Sequence, residues 1–425
     1  MMISKRLMMA VGSALAVALS LDIAIAKDKP FEGTKIWVAM VDEPREWAFR
    51  DRLDQFREQT GIEVVIDTYD FDSLFNKALS ASTTRSGEYD VIQFHYPDIS
   101  LFSANGFMRD ITEWVERDAE EMQLSDIHPS VQDSHMMWEG RYYGMLTHLG
   151  IMHLYYRSDI FEENGFDKPE SWEDVLAIAQ AVDEKYGGDV RGLVLMGRAD
   201  IQGAATYQNL LAAYGGDYFD ESGRPTLNTP EAKKALNMLV ALSKHAVEES
   251  PSIGFVEGHV AFKEGRAAMI PYWDSGDNFF ADEKASDIVG KWAVAPMPGG
   301  RPTNGGWTVQ ISRDSTNPEA AFEFLKWIVS PEMERELTPM TASARLSILT
   351  DPENAKHPSY PAYAEVLKGE PSNFPQVTPN LLILQLVADA QSAAMAGEKT
   401  VDQALDDLQT EVEGIVVRYG IWKPS

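Results

Sequence analysis

The 425-residue chain contains no cysteine, which excludes disulfides, thiolate nucleophiles and thiolate-bound zinc. Basic residues are scarce: 37 Lys and Arg face 66 Asp and Glu, a formal net charge of −29. A surface that acidic repels phosphate backbones and anionic headgroups, so binding to nucleic acid or to an anionic membrane surface is not expected. Long apolar runs are missing after the first 26 residues. The best later candidate, residues 381–396, is interrupted by Gln385, Asp389 and Gln391 and should not span a bilayer. There is no nucleophile elbow, no phosphate loop and no HExxH pattern. With so many carboxylates, acid pairs suited to glycoside hydrolysis arise by chance and carry little information. His148 and His153 are five apart, which places them on opposite faces of the strand expected over residues 152–156. Neither catalysis, nor a metal, nor a cofactor is expected.

The N-terminus is different in kind. Lys5 and Arg6 precede an apolar stretch from Leu7 to Leu21, and Ala24-Ile25-Ala26 follows just before a polar segment. This is the pattern of a cleavable export signal, residues 1–26. Its removal takes away Lys5, Arg6 and Asp22, leaving a mature chain one unit more acidic. About 400 remaining residues exceed what a single core usually serves, so two lobes are expected.

Along that chain, short β-branched runs alternate with helical patterns, the signature of an α/β architecture. Ile36 to Val41, Val64-Val65-Ile66 and Val91 to Phe94 read as strands, with helices through Trp47, Leu53 and Phe56 and near Leu74 to Ala81. Parallel strands need such crossovers. Ser171 with Asp174, and Thr400 with Gln403, have capping-box spacing, and Thr229-Pro230 reads as a helix start. Residues 297–306, dense in Gly and Pro, are expected to lack regular structure and to carry the chain between lobes.

Four blocks then support a resemblance. They are Tyr89-Asp90-Val91-Ile92 with Leu101 to Phe107; Trp138-Glu139-Gly140-Arg141-Tyr142-Tyr143-Gly144 with Leu154 to Phe161; Ala261 to Met269; and Gly305-Gly306-Trp307 to Ser312 with Asn317-Pro318-Glu319-Ala320-Ala321 and Ser330-Pro331-Glu332. In this order they resemble the extracellular solute-binding proteins of carbohydrate importers, the group that includes maltose-binding protein. The resemblance implies a two-lobed periplasmic-binding-protein fold, each lobe a mostly parallel sheet flanked by helices, joined by a multi-strand hinge (type II). Lobe one would hold residues 27–147 and 308–350, and lobe two 148–307 and 351–425. It further implies a periplasmic monomer that captures a carbohydrate or polyol by hinge closure and delivers it to the permease subunits of an ABC importer. Without a cysteine at the cleavage site, no lipid anchor is expected there.

A sugar site needs flat aromatic faces and planar polar groups that hydrogen-bond hydroxyls. Trp307, after Gly305 and Gly306, and Trp273, leaving a short strand beside Asp274, are the strongest candidates. Ligands of open α/β sheets sit beyond strand C-termini. Asp42 and Glu43 follow the first strand, Asp70 the second, and His95 and Tyr96 the third. Thr147 and His148 sit at the first crossover, Arg345 falls where the resemblance puts a cleft arginine, and Tyr207 opens a helix ahead of Gly215-Gly216. Two rival readings stay open: a binder of the same fold for a polyamine or other non-sugar solute, and a periplasmic glycan-processing enzyme.

Overall fold

The computed structural model describes residues 29–338, 343–366 and 371–423; the expected export segment lies outside them. Among the described residues no helix is long and apolar enough to cross a membrane. Eleven strands are described: β1 (Lys35–Val41), β2 (Glu63–Tyr69), β3 (Val91–His95), β4 (Met137–Trp138), β5 (Arg141–Tyr142), β6 (Gly144–Arg157), β7 (Arg191–Leu193), β8 (Ala267–Trp273), β9 (Trp292–Ala295), β10 (Thr303–Ile311) and β11 (Ser372–Asn373).

β2, β1 and β3 pair in parallel, with β1 central. Helices Leu53–Thr60 and Phe71–Thr84 return the chain between them, as parallel pairing demands. β10 adds antiparallel to β3, and β6 antiparallel to β10. β6 is the structural spine. Its first half, Gly144 to Ile151, pairs with β10, and its second half, Met152 to Arg157, pairs with β8 and β9. One strand therefore serves both lobes, and the sheet order β2-β1-β3-β10-β6-β8-β7 is continuous.

The buried apolar residues separate accordingly. One cluster, including Val38, Val91, Leu149, Ile151, Val309 and Phe324, lies under the lobe-one sheet, with a second around Phe94, Phe102 and Trp307 on another side. A third gathers Leu154, Trp172, Leu193, Leu236, Met269 and Val412 in lobe two. Helices start where the sequence marks them. Ser171 and Asp174, and Thr400 and Gln403, form reciprocal capping boxes, and Thr229 caps the helix that Pro230 opens.

Each lobe's sheet is mostly parallel, as expected: β2, β1, β3 and β6 share one direction with β10 reversed between β3 and β6, and β7, β8 and β9 share one direction opposite to β6. Three details differ from the sequence expectation. The crossover lies between Ile151 and Met152, not at 147/148; Leu149 and Ile151 still pack in lobe one. Thr303 to Gly306 are strand, since Asn209 Oδ1 accepts the Thr303 N–H at 2.7 Å and β6 supplies the other partners. Finally, Tyr360, Tyr363 and Val366 pack with the lobe-one core, so a boundary at 351 is too early. Their burial in the lobe-one core outweighs their place in the sequence beside the lobe-two helices.

Candidate ligand cleft

The candidate site lies where strand ends of the two lobes meet. Across three adjacent strands His95, Trp307 and His148 share one register: Trp307 of β10 pairs with His95 of β3 and with His148 of β6. Directly opposed residues share a face, so the three rings form a row. Phe71, first residue of its helix, meets Trp307 edge-on at 5.5 Å, and Phe374 meets His95 at 5.9 Å. Thr147 Oγ1 donates to the Trp307 carbonyl at 2.9 Å and locks the row to β6.

Lobe two contributes Trp273, the last residue of β8. Its indole N–H donates to Gln202 Oε1 at 2.7 Å. The ring lies over Gly305, where an added Cβ would sit 2.7 Å from Cζ3. Gly306 has φ +122, and a Cβ there would meet the His148 carbonyl at 2.6 Å. Only glycine fits both constraints. Beneath this pair, His135 Nε2 lies 2.8 Å from the Gly305 carbonyl, which can only accept, so Nε2 carries the proton and Nδ1 accepts from Ser134 Oγ at 2.7 Å. His135 stacks on Tyr96 with ring centroids 4.0 Å apart.

The electrostatics of the walls come from burial. It pushes His95 down to about 3, with the His135 charge adding to the effect, and His135 down to about 4; His148 is also held well below the ordinary range. All three rings are neutral at physiological pH. Carboxyls move the other way. Burial, then the charges of Glu46 and Asp274, pushes Glu43 up to about 8, and burial raises Glu46 to about 7 against a hydrogen bond from Gln93. The cleft thus presents neutral imidazoles and carboxyls that favour their protonated or hydrogen-bonded forms. Among the described residues no group of three His, Cys, Asp or Glu could hold a metal ion.

The structure brings Glu43, His95, Thr147, His148, Trp273, Asp274, Gly305, Gly306 and Trp307 to this region. Other candidates are placed differently. Arg345 is fully buried inside lobe one: Nε bonds Glu334 Oε1 at 3.0 Å, and the remaining donors reach the carbonyls of Gln123, Met122 and Val329. It does not line the cleft. Tyr207 is buried in the lobe-two core with its hydroxyl on the Ala232 carbonyl. Asp70 caps the helix Phe71–Thr84, accepting the Ser73 N–H at 2.9 Å. Asp42 is exposed at the rim, where Oδ1 accepts the Trp47 indole N–H. Tyr96 is buried, and its hydroxyl accepts the Phe374 N–H at 2.6 Å, tying the residue after β11 to the end of β3.

Arg45, Glu46, Gln93, Gln202 and His135 were not singled out by the sequence. The only signal for Arg45 and Glu46 was their position just past the first strand, a place where helix-surface charges are also common. A separate groove of about 460 Å³ runs between helices Asn380–Met395 and Val401–Arg418. Its lining has no aromatic ring, and the exposed Lys399–Asp407 ion pair crosses it, so it lacks the surfaces a sugar needs.

The model for the bacterial extracellular solute-binding protein family matches residues 33–335. A probable amino-acid ABC transporter periplasmic-binding protein of Sinorhizobium fredii is 26% identical over 97% of this chain and 96% of its own length. The mannitol-binding protein of Pseudomonas aeruginosa is 25% identical over 79% of this chain and 82% of its own. Among solved structures, an ABC transporter solute-binding protein from Agrobacterium radiobacter K84, in complex with ribitol, superposes with TM-score 0.81 at 26% identity, covering 91% of this chain and 100% of that one.

Proposed function

This chain belongs to the bacterial extracellular solute-binding protein family, and on that premise we propose that it captures a neutral polyol or small sugar in the interlobe cleft and delivers it to an ABC importer. The observation that carries this reading is the pairing of aromatic faces with hydroxyl partners from both lobes. Trp307 and Trp273 offer the apolar surfaces that sugar C–H faces need, and Glu43, His95 and Asp274 stand beside them as hydrogen-bonding groups. A ligand touching both walls favours the closed arrangement, because only there are all its contacts made. The mannitol- and ribitol-binding relatives support the same class of solute.

Export by residues 1–26, residence in the periplasm as a monomer, hand-over to permease subunits, and binding without turnover complete the proposal. The Sinorhizobium relative favours an amino acid as a second reading. The electrostatics speak against it: an α-carboxylate would enter a site flanked by the Glu43, Glu46 and Asp274 carboxyls, and the Arg45 guanidinium already acts on Glu334, Glu46 and Asp274.

A thermal-shift panel of polyols, neutral mono- and oligosaccharides, amino acids and polyamines separates the readings. A ligand at a hundred times its dissociation constant adds about 2.7 kcal/mol to the folded state, so a polyol or sugar should raise the melting temperature by several degrees. Stabilisation by amino acids alone, or by polyamines alone, would overturn the carbohydrate assignment.

A further inference from the structure

The segment leading into helix Tyr360–Val366 is held by lobe one at both ends. Tyr360 and Tyr363 pack in the lobe-one core, and upstream Asn354 Nδ2 donates to the Ile348 carbonyl at 2.7 Å. Between these anchors Ser359, only 2% exposed, bonds to lobe two. Its Oγ donates to Asp277 Oδ1 at 2.6 Å, and its N–H donates to Asp277 Oδ2 at 3.1 Å. Asp277 lies in the short helix Gly276–Phe280 that follows β8. Tyr155, wholly buried on the lobe-two half of β6, places its hydroxyl 2.9 Å from Asp277 Oδ1 and 3.1 Å from Ser359 Oγ. Three donors therefore converge on one carboxyl, which suits the acceptor-only chemistry of an ionised aspartate. Beside them the Tyr363 ring meets His153 of β6 edge-on, with centroids 5.0 Å apart.

The same tyrosine reaches the candidate site. Its hydroxyl lies 3.1 Å from the Asp274 carbonyl, and the Asp274 N–H donates to the carbonyl of Ile151, the last residue before the crossover, at 3.1 Å. The backbone directly after Trp273 is thus fixed on one side by the crossover and on the other by Tyr155, whose single proton is shared among Asp274, Asp277 and Ser359. The Ser359 bonds belong to no strand pair, so they can break while the sheet stays whole. Because Ser359 moves with lobe one and Asp277 with lobe two, rotation about the crossover must either part them or carry the Trp273–Asp274 corner along. Hydrogen bonds to an ionised group are stronger than neutral ones, and a shallow equilibrium between lobe arrangements is biased by one or two of them.

We propose that Ser359, Asp277 and Tyr155 are positioning residues for solute capture: through them lobe one places the Trp273–Asp274 corner of lobe two and holds the ligand-free lobes in the arrangement the solute needs. This rests on the solute-capture reading above. Only molecules with the corner in place bind at full strength, so the apparent dissociation constant rises as their fraction falls.

Ser359→Ala removes one donor, and Asp277→Ala removes the shared acceptor. Small-angle X-ray scattering of the ligand-free proteins should give a larger radius of gyration in both variants than in wild type. Titration calorimetry with ribitol should show binding weaker by about threefold in Ser359→Ala and about tenfold in Asp277→Ala. A purely structural role would lower the urea midpoint and leave the radius and the affinity of the folded protein where they are. A wild-type radius, or a wild-type affinity, in a folded variant overturns the proposal. If Asp277→Ala does not fold, Ser359→Ala decides alone. If ribitol does not bind wild type, that result counts against the polyol reading, and the ligand-free radii decide the positioning role: unchanged radii overturn it.

Discussion

Replacing Arg345 with methionine is expected to cost the unliganded protein about 3–5 kcal/mol of stability, the usual result of removing one partner from a buried ion pair. Glu334 is 4% exposed and Arg345 wholly buried. Without the guanidinium, Glu334 keeps the short bond from Ser343 Oγ and the Arg45 charge, while the carbonyls of Gln123, Met122 and Val329 lose their donor. Burial already raises the Glu334 carboxyl, so the variant should protonate it and unfold at lower urea. A second change, Glu334→Leu, should recover much of the loss, because the stranded carboxyl is the larger part of it. Ligand affinity should move by less than about twofold, since the pair lies inside lobe one away from the cleft. Urea denaturation with a parallel binding titration checks both halves. Weak binding with undiminished stability would return Arg345 to the ligand.

Trp273→Ala and Trp307→Ala should each weaken capture by more than about tenfold, or about 1.4 kcal/mol. Trp273 covers Gly305, and Trp307 anchors the row between His95 and His148, so truncation removes one apolar wall in each case. Gln202→Ala probes a different role. It removes the acceptor that fixes the Trp273 indole at 2.7 Å, so affinity should fall by a smaller factor, about threefold, as the ring gains freedom. Gln202→Glu, which keeps an acceptor, should recover most of that. Intrinsic tryptophan emission during titration reports all four variants. Unchanged affinity in both tryptophan variants would move the site elsewhere while leaving the fold intact.

The fold was legible in the sequence wherever local chemistry decides. The β-branched runs became β1, β2 and β3, and the capping boxes at Ser171 and Thr400 set helix starts, because both signals act over a few residues. The insertion of β10 between β3 and β6 joins strands far apart in sequence, which no local pattern encodes. The site divides in the same way. Gly305, Gly306, Trp273 and Trp307 are candidates by residue type, and the structure lays the Trp273 ring over Gly305. Arg345 does not: an arginine on a cleft wall and one neutralised in a core look alike until depth is known. Asp70, read as a ligand group, serves as a cap, the commoner use of an aspartate before a helix. Glu46 and His135 were missed because their importance comes from partners 47 and 170 residues away, Gln93 and the Gly305 carbonyl.

A solute held between the lobes by residues of both should slow exchange on both sides of the cleft. Hydrogen exchange, with and without a ligand that stabilises the protein, tests it most directly. Added protection is expected in peptides spanning residues 91–96 and 303–308 together with 270–276, so that strand segments from both lobes slow at once. Protection confined to one lobe, or to the groove between helices Asn380–Met395 and Val401–Arg418, would contradict it.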